Sequence, residues 1–236
     1  MSPPLTPPFP PLDPGESGWD LGRLVATADP GEDLVAARGD LDPATLVDAY
    51  RHGLFPMGLG LHGSGPIGWW SPDPRGVLVP SELRVRKSLR KVLKRFDIRV
   101  DTCFEEVMSR CGDPERSGRW ITPEIGAAYR HLHDLGWAHS VETWLDGELV
   151  GGLYGVAIGG LFAGESMFHS TRDASKAALV GLVRLVERDG DERRLIDVQW
   201  RTDHLESLGV KEIARPDYLA ALAGALQAPP IDFSGA

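Results

Sequence analysis

Residues 147–169 read GELVGGLYGVAIGGLFAGESMFH, and this stretch decides the fold. Short apolar runs alternate with glycines, and the pairs Asp146-Gly147 and Gly159-Gly160 have the composition of hairpin turns. The stretch therefore predicts antiparallel strands joined by tight turns. One carboxylate, Glu165, lies inside the last apolar run, where a lone charge is costly unless it is paired. We expect its partner to be either a basic residue of the protein or a cationic substrate.

The segments on both sides of this meander predict an α+β fold with a mixed, mainly antiparallel sheet. Before it, FDIRVD has the pattern of a strand, TCFEEVMSRC that of a helix, and WITPEIGAAYRHLHDLG that of a helix capped by Thr122. After it, DASKAALVGLVRLVERDG predicts an amphipathic helix and RLIDVQW a strand. A meander followed by a helix and another strand is similar to the order of elements in the acetyltransferase-like (GNAT) fold.

Composition divides the chain into three parts. Residues 1–20 are rich in proline and are predicted to be a disordered tail. Residues 21–73 predict a small N-terminal domain, whose helix over DPATLVDAYRHGLFP has Pro43 in its first turn. Residues 74–236 predict the GNAT-like domain.

The overall composition narrows the class of protein. The chain has 236 residues, 42 % of them hydrophobic, with no apolar run that reaches the roughly 18 residues of a membrane span. Its first residues resemble no secretory signal, so we expect a cytoplasmic protein without membrane contact. Neither the two cysteines, Cys103 and Cys111, nor the histidines of HLHDLGWAH have the spacing of metal ligands, and no metal is expected.

One basic segment departs from the acidic balance of the chain. The net charge is −9, which argues against nonspecific coating of nucleic acid. In RVRKSLRKVLKR, however, basic residues occur without any acidic neighbour, and Lys87, Lys91, Lys94 and Arg95 follow one side of a predicted helix. Such a segment forms either a solvated basic face or a site for a polyanion such as a phosphate backbone, and the acidic context favours the polyanion.

Two further motifs suggest chemistry. In RLIDVQW, Asp197 and Gln199 are two residues apart on a strand and so share one face. They indicate either a partly solvated sheet face or a carboxylate that orients an amide toward a reacting amine. The junction MFHSTRDASKAAL has no glycine pair to hold a pyrophosphate, so coenzyme A is not the expected acyl donor. In WWSPDPR, the two tryptophans indicate core packing at a rigid turn or an aromatic platform.

Taken together, several blocks of the sequence resemble one family. They are WWSPDPR, WITPEI, AYRHLHDLGWAHSVE, GELVGGLYGVAIG, LFAGESMF, DASKAAL, LIDVQ and DHLESLG. In number and order they resemble the leucyl/phenylalanyl-tRNA–protein transferases. The resemblance implies an aminoacyltransferase that moves leucine or phenylalanine, with methionine as a further candidate, from aminoacyl-tRNA to an N-terminal Arg or Lys. The acceptor protein is thereby marked for N-end rule degradation.

The same resemblance implies roles for individual residues. Asp197 would polarise Gln199, whose amide accepts hydrogen from the incoming amine, while Glu165 would attract the cationic acceptor. The basic residues implied to contact tRNA are Lys87, Lys91, Lys94 and Arg95. The residues implied to bind substrate are Trp120, Phe162, Ser166 and Trp69. The family further implies a monomer that needs no cofactor, since aminoacyl-tRNA is itself a substrate. Met57 departs from the aromatic residue often found there, which puts the amino-acid preference in doubt.

Two other classes of function compete with this interpretation. A coenzyme A-dependent N-acyltransferase with a degenerate loop would bind acetyl-CoA tightly and ignore changes at Lys87 or Lys91. A tRNA-binding module without catalysis would show salt-sensitive tRNA binding and form no product.

Overall fold

A seven-stranded mixed sheet forms the centre of the molecule. The computed structural model describes residues 6–116 and 118–234. The strands are β1 (Leu34–Ala37), β2 (Phe55–Gly58), β3 (Ile67–Trp70), β4 (Arg75–Leu78), β5 (Asp97–Val100), β6 (Ala138–Leu145), β7 (Glu148–Ile158), β8 (Leu161–His169), β9 (Leu195–Gln199) and β10 (Lys211–Ile213). The order in the central sheet is β10-β4-β9-β8-β7-β6-β5. Only the β8–β9 pair is parallel within these ranges, as expected for a mixed, mainly antiparallel sheet.

The predicted meander is confirmed as β6, β7 and β8. Asp146 and Gly147 have φ angles of 53° and 85° and join β6 to β7, as a hairpin turn with two left-handed residues requires. Gly159 has a φ of 56°, and a Cβ there would lie 2.8 Å from the carbonyl oxygen of Leu226. Glycine is therefore needed at the second turn both for its conformation and for the close approach of the last helix.

Helices cover both faces of the sheet. They are α1 (Leu21–Ala26), α2 (Pro43–Arg51), α3 (Lys87–Leu93), α4 (Phe104–Cys111), α5 (Pro123–Asp134), α6 (Ala174–Val186), α7 (Asp203–Glu206) and α8 (Arg215–Leu226). One core cluster joins α2, α4, α5 and α8 to one face, and a second joins α3, α6 and α7 to the other. The predicted cap is present at α5, where the Thr122 hydroxyl accepts from the Ile125 N–H at 3.3 Å.

The smaller sheet lies in the N-terminal part of the chain, with the order β1-β3-β2. It ends at Trp70, and the central sheet begins at Arg75. Residues of both parts belong to the first core cluster, including Leu46, Phe55 and Tyr154. The N-terminal part therefore packs directly on the central sheet, on the face that carries α5 and α8.

The expectation of a disordered tail over residues 1–20 needs correction. Residues 1–5 lie outside the described residues, but residues 6–20 are described, without helix or strand, and contact the folded protein at Leu12. The Leu12 N–H donates to the Leu135 carbonyl at 2.8 Å, and the Trp137 indole donates to the Leu12 carbonyl at 2.8 Å. Proline favours an extended backbone, and these hydrogen bonds fix that backbone beside the turn that follows α5.

Candidate active site

A cavity opens where β8 and β9 diverge. The two strands pair only from Leu161 with Leu195 to Ala163 with Asp197, and beyond that point each strand contributes one wall. The cavity has a volume of about 220 Å³ and is mostly apolar, with α6 and α7 closing it. Its lining residues are Leu153, Phe162, Gly164, Glu165, Ser166, Met167, Leu179, Leu182, Ile196, Val198, Gln199, Thr202, His204 and Leu205.

A β-bulge at Glu165 sets the direction of the side chains on the β8 wall. Gly155 pairs with Gly164, but the next residue back along β7, Tyr154, pairs with Ser166, so Glu165 is an extra residue in β8. The strict alternation that would place Met167 on the same face as Glu165 is therefore broken. Met167 packs with the second core cluster, to which Phe162 belongs, so alternation counted from Glu165 does not assign its face.

Glu165 has a half-satisfied carboxylate. Its Oε2 accepts from the Tyr129 hydroxyl at 2.9 Å, and the Tyr129 hydroxyl is in turn hydrogen-bonded to the Tyr50 hydroxyl. Its Oε1 is buried and has no partner among the described residues. Burial raises the pKa of Glu165 to about 7, although the nearby Tyr50 and Tyr129 hydroxyls oppose the rise. The carboxyl group can therefore hold or release a proton near neutral pH.

Asp197, by contrast, is fully paired. Its Oδ1 accepts from Arg75 Nε at 2.9 Å and its Oδ2 from Arg75 Nη2 at 2.6 Å. The Tyr218 hydroxyl also donates to Oδ2 at 2.8 Å. Burial by itself would lower the pKa of Arg75, but the Asp197 carboxylate raises it above its usual value. The two charges thus neutralise each other in a two-pronged ion pair.

The contact between Asp197 and Gln199 differs from the predicted one. Asp197 Oδ1 accepts from the backbone N–H of Gln199 at 2.9 Å, and not from its side-chain amide. Gln199 has a φ of 59°, in the left-handed region that non-glycine residues adopt infrequently. Its Nε2 is buried and has no hydrogen-bond partner within the described part of the chain. Asp197 therefore fixes the backbone at Gln199 and leaves the amide free for another partner.

The structure brings some predicted substrate-binding residues to the cavity and not others. Phe162 and Ser166 line it, together with Glu165 and Gln199. Trp69 is buried in the N-terminal part, where its indole donates to the Arg38 carbonyl at 3.0 Å. Trp120 packs against the first core cluster. Neither tryptophan lines the cavity, and for Trp69 the core-packing alternative describes its surroundings.

Several residues of the site were missed at the sequence level. Arg75 and Tyr218 hold Asp197, and Tyr129 and Tyr50 stand behind Glu165. The signal for Arg75 was a charge at the start of the apolar run RGVLV. The tyrosines lie on helices far away in sequence, and nothing local distinguishes them from core aromatics.

The predicted basic surface is present on α3. Lys87, Lys91, Lys94 and Arg95 are all exposed, and none forms an ion pair with an acidic residue in the ranges described. The helix ends at Leu93, so the last two of these residues lie just beyond it. Free cations that face solvent are available to a polyanion.

A basic groove continues from this helix toward the cavity. It has a volume of about 450 Å³, and its cationic lining residues are Arg84, Arg86, Arg95, Arg172 and Lys176. The segment around α7 borders both spaces, because His204 and Leu205 line the cavity while Ser207 and Leu208 line the groove. The basic groove and the apolar cavity are thus neighbours.

No three side chains of His, Cys, Asp or Glu cluster as metal ligands within residues 6–116 and 118–234. Across the same ranges, no helix combines the length and the apolarity that a membrane crossing requires.

The mixed sheet of this α+β fold diverges around an apolar cavity and carries a carboxylate and an amide on opposite walls, the kind of site that an acyltransferase requires. The family described as leucyl/phenylalanyl-tRNA protein transferase matches residues 77–223, and its N-terminal domain matches residues 39–73. The chain therefore belongs to the leucyl/phenylalanyl-tRNA–protein transferase family, and it is an aminoacyltransferase.

Individual relatives agree with this assignment. The leucyl/phenylalanyl-tRNA–protein transferase of Thiobacillus denitrificans is 52 % identical over 209 residues, which cover 87 % of this chain and 89 % of the relative. The transferase of the same name from Azoarcus sp. is 53 % identical over 194 residues, 80 % of each chain. That of Paraburkholderia phytofirmans is 45 % identical over 234 residues, 95 % of this chain and 89 % of the relative.

Proposed function

We propose that the protein transfers leucine or phenylalanine from aminoacyl-tRNA to the N-terminal Arg or Lys of acceptor proteins, forming a peptide bond. The observation that carries this proposal is the adjacency of the basic groove and the apolar cavity across α7. An aminoacyl-tRNA has the two complementary features side by side, because its polyanionic strand ends in an amino acid. An apolar amino acid in the cavity leaves the acceptor stem and 3′ strand on the basic side.

The cavity suits one apolar side chain. Pockets for drug-sized ligands are about 300–1,000 Å³, and this cavity of about 220 Å³ is smaller. Leu153, Leu179, Leu182 and Val198 line it, together with Phe162. Leucine and phenylalanine gain free energy by burial among such groups, and methionine is a further candidate because its flexible thioether adapts to irregular space.

The start of α6 argues against coenzyme A as the donor. A pyrophosphate site at a helix N-terminus needs free backbone N–H groups and no competing anion. Here Asp173 is the N-cap residue, and its carboxylate lies 3.4 Å from the Lys176 ammonium. The Asp173 carboxylate accepts no hydrogen bond from the first N–H groups of α6, but its negative charge at the helix start opposes the binding of a pyrophosphate there.

The remaining expectations follow from this reaction. The aminoacyl ester is already activated, so positioning and modest proton transfer are sufficient, and we propose that no cofactor is required. Since charged tRNA and nascent proteins share the cytoplasm, we propose that the enzyme acts there. We also propose that it acts as a monomer. Its product carries a leucine or phenylalanine at the N-terminus, which marks the acceptor for N-end rule degradation.

Mass spectrometry of the product tests the reaction directly. A peptide that starts with Arg is incubated with the enzyme and a mixture of charged tRNAs, with and without EDTA. We expect one added leucine or phenylalanine residue on the α-amine, and equal rates in both samples. A matched peptide that starts with Ala serves as the control. Absence of any adduct on the Arg peptide would rule out the proposed function.

Charge reversal on α3 tests the tRNA surface. We expect Lys91→Glu with Lys94→Glu to raise the KM for charged tRNA by about tenfold or more at physiological salt, and by more at low salt. The variant releases fewer counterions on binding, so it gains less affinity than the wild type as the salt concentration falls. Arg23→Glu with Arg130→Glu is the matched control, since α1 and α5 pack on the first core cluster, away from α3. An equal effect of both pairs would place the tRNA elsewhere.

A further inference from the structure

Two buried polar atoms without partners lie on opposite walls of the cavity. Glu165 is on β8 and Gln199 on β9, and both residues line the cavity. Glu165 Oε1 and Gln199 Nε2 have no hydrogen-bond partner among the residues described. A buried polar atom without a partner loses about 1–3 kcal/mol, so such atoms mark places where a ligand is expected. One of the two atoms accepts hydrogen and the other donates it.

On this basis, we propose that Glu165 takes the proton of the attacking α-amine and that the Gln199 amide N–H binds the oxyanion of the tetrahedral intermediate. The proposal rests on the proposed function and assigns its steps. It reverses the predicted role of Gln199, from hydrogen-bond acceptor for the amine to donor for the ester oxygen. Asp197 then acts as a positioning residue, because it bonds the peptide N–H of Gln199.

Transfer proceeds through a tetrahedral intermediate. The neutral amine attacks the ester carbonyl carbon, a C–N bond forms, and the π electron pair moves to the carbonyl oxygen, which Gln199 Nε2–H stabilises. The amine proton passes to Glu165. The intermediate then collapses, the bond from carbon to the ribose oxygen breaks, and that oxygen receives the proton from Glu165. The products are a peptide bond and a tRNA with a free hydroxyl.

The surroundings of the two carboxylates explain why Glu165, and not Asp197, is the proton acceptor. Asp197 already accepts two hydrogen bonds from Arg75 and one from Tyr218. Glu165 keeps one oxygen without a partner among the described residues. Its pKa is about 7, and a general base is most efficient when its pKa is close to the working pH. The charged or titratable groups that surround it are Tyr50, Tyr129, Tyr154, Arg75 and Asp197.

The pH dependence of the rate tests the role of Glu165. With saturating charged tRNA and an Arg-starting peptide, the wild-type kcat is expected to rise with pH through a midpoint near 7. Glu165→Gln is expected to lower kcat by about 10²-fold or more and to retain only the titration of the acceptor amine, near pH 8. Glu148→Gln, an exposed change on β7, is the matched control and is expected to behave as wild type.

The split between kcat and KM separates two roles of Glu165. If Glu165 binds the cationic side chain of the acceptor, Glu165→Gln will raise the peptide KM and leave kcat and its pH profile nearly unchanged, which would overturn the proposal. Thermal unfolding and tRNA binding of the Glu165→Gln variant serve as controls for its folding. Product formation by wild type shows separately that the proposed function stands.

Gln199→Glu tests the donor directly. A carboxylate at this position accepts hydrogen bonds but cannot donate them. We expect Gln199→Glu and Gln199→Ala to lower kcat equally, by about 10²–10³-fold, with the Glu165 titration preserved in the Ala variant. A Gln199→Glu variant that keeps the wild-type rate would overturn the donor role and favour the acceptor role.

Discussion

Asp197 and Glu165 are buried carboxylates on neighbouring strands of one sheet, yet they differ in how many hydrogen bonds the protein makes to them. Asp197 is bound by two nitrogens of Arg75, by the Tyr218 hydroxyl and by a peptide N–H. Glu165 receives a single hydrogen bond, from Tyr129, and its other oxygen lacks a partner in the described chain. Among the described residues, the fold therefore supplies hydrogen-bond donors to both oxygens of Asp197 but to only one oxygen of Glu165.

The difference teaches which carboxylate the fold uses fully and which it leaves available to a ligand. A carboxylate with all its hydrogen bonds made by the protein has little left to offer a substrate, whereas one with a free oxygen beside a cavity can exchange a proton. The backbone produces this division. A bulge turns Glu165 toward the tyrosines, and the end of the pairing of β8 with β9 at Ala163 and Asp197 opens the space beside it.

The largest effect is expected when the Asp197 carboxylate is removed. Asp197→Ala leaves the Arg75 guanidinium buried without its counterion, so we expect the free energy of unfolding to fall by about 3–5 kcal/mol. Urea denaturation followed by circular dichroism measures it. Loss of activity in this variant would then report a damaged fold as well as a lost side chain.

A double variant separates these two causes. Arg75→Met with Asp197→Leu removes both charges, and such replacements of buried ion pairs are often neutral or stabilising. We expect it to recover most of the stability but not the transfer rate, because the anchor of the Gln199 backbone is gone. A single Asp197→Ala variant that loses less than about 1 kcal/mol would show that the pair is not the structural element described above.

The next largest effect concerns Glu165 and the pH. The pKa of Glu165 is about 7 in the folded protein and near 4.5 in an exposed carboxyl. Between these values the folded state binds more protons than the unfolded state, so the free energy of unfolding falls as the pH rises through this window. Glu165→Gln removes that decline. We expect it to be the more stable protein at pH 8, by an amount on the order of 3 kcal/mol.

Denaturation curves of both proteins between pH 4 and 8 provide the measurement. The two should be similar near pH 4, where the carboxyl is neutral in both states of the wild type, and should separate steadily up to about pH 7. Curves that run parallel over the whole range would mean that Glu165 is well solvated or paired, contrary to the structure.

The sequence was sufficient for the plan of the fold and for the presence of these carboxylates, because both depend on local patterns. The meander follows from Asp146-Gly147 and Gly159-Gly160, and the capped α5 follows from Thr122. Likewise, a single charge in LFAGESMFH was visible as an anomaly. Local composition therefore predicted where a carboxylate would lie in an apolar strand.

The surroundings of the carboxylates could not be predicted, because they depend on long-range packing and on irregular backbone. Arg75 reaches Asp197 only because β4 pairs with β9, which lies more than a hundred residues later. The bulge at Glu165 and the left-handed Gln199 break the strict alternation that assigns faces along a strand. The direct side-chain contact expected between Asp197 and Gln199 was wrong for this reason.

The smallest expected effect compares the tyrosines that serve the two carboxylates. Tyr218→Phe removes one donor from Asp197, whose same oxygen still accepts from Arg75, so we expect a loss of about 1–2 kcal/mol that is constant between pH 6 and 8. Tyr129→Phe removes the one donor that the described chain offers Glu165, so its loss should grow as the pH rises through 7 and the carboxyl ionises. Unfolding curves at pH 6 and pH 8 measure both variants. Equal and constant losses would contradict the distinction between a satisfied and a half-satisfied carboxylate, whereas a loss that grows with pH in Tyr129→Phe alone would place the titrating proton on Glu165.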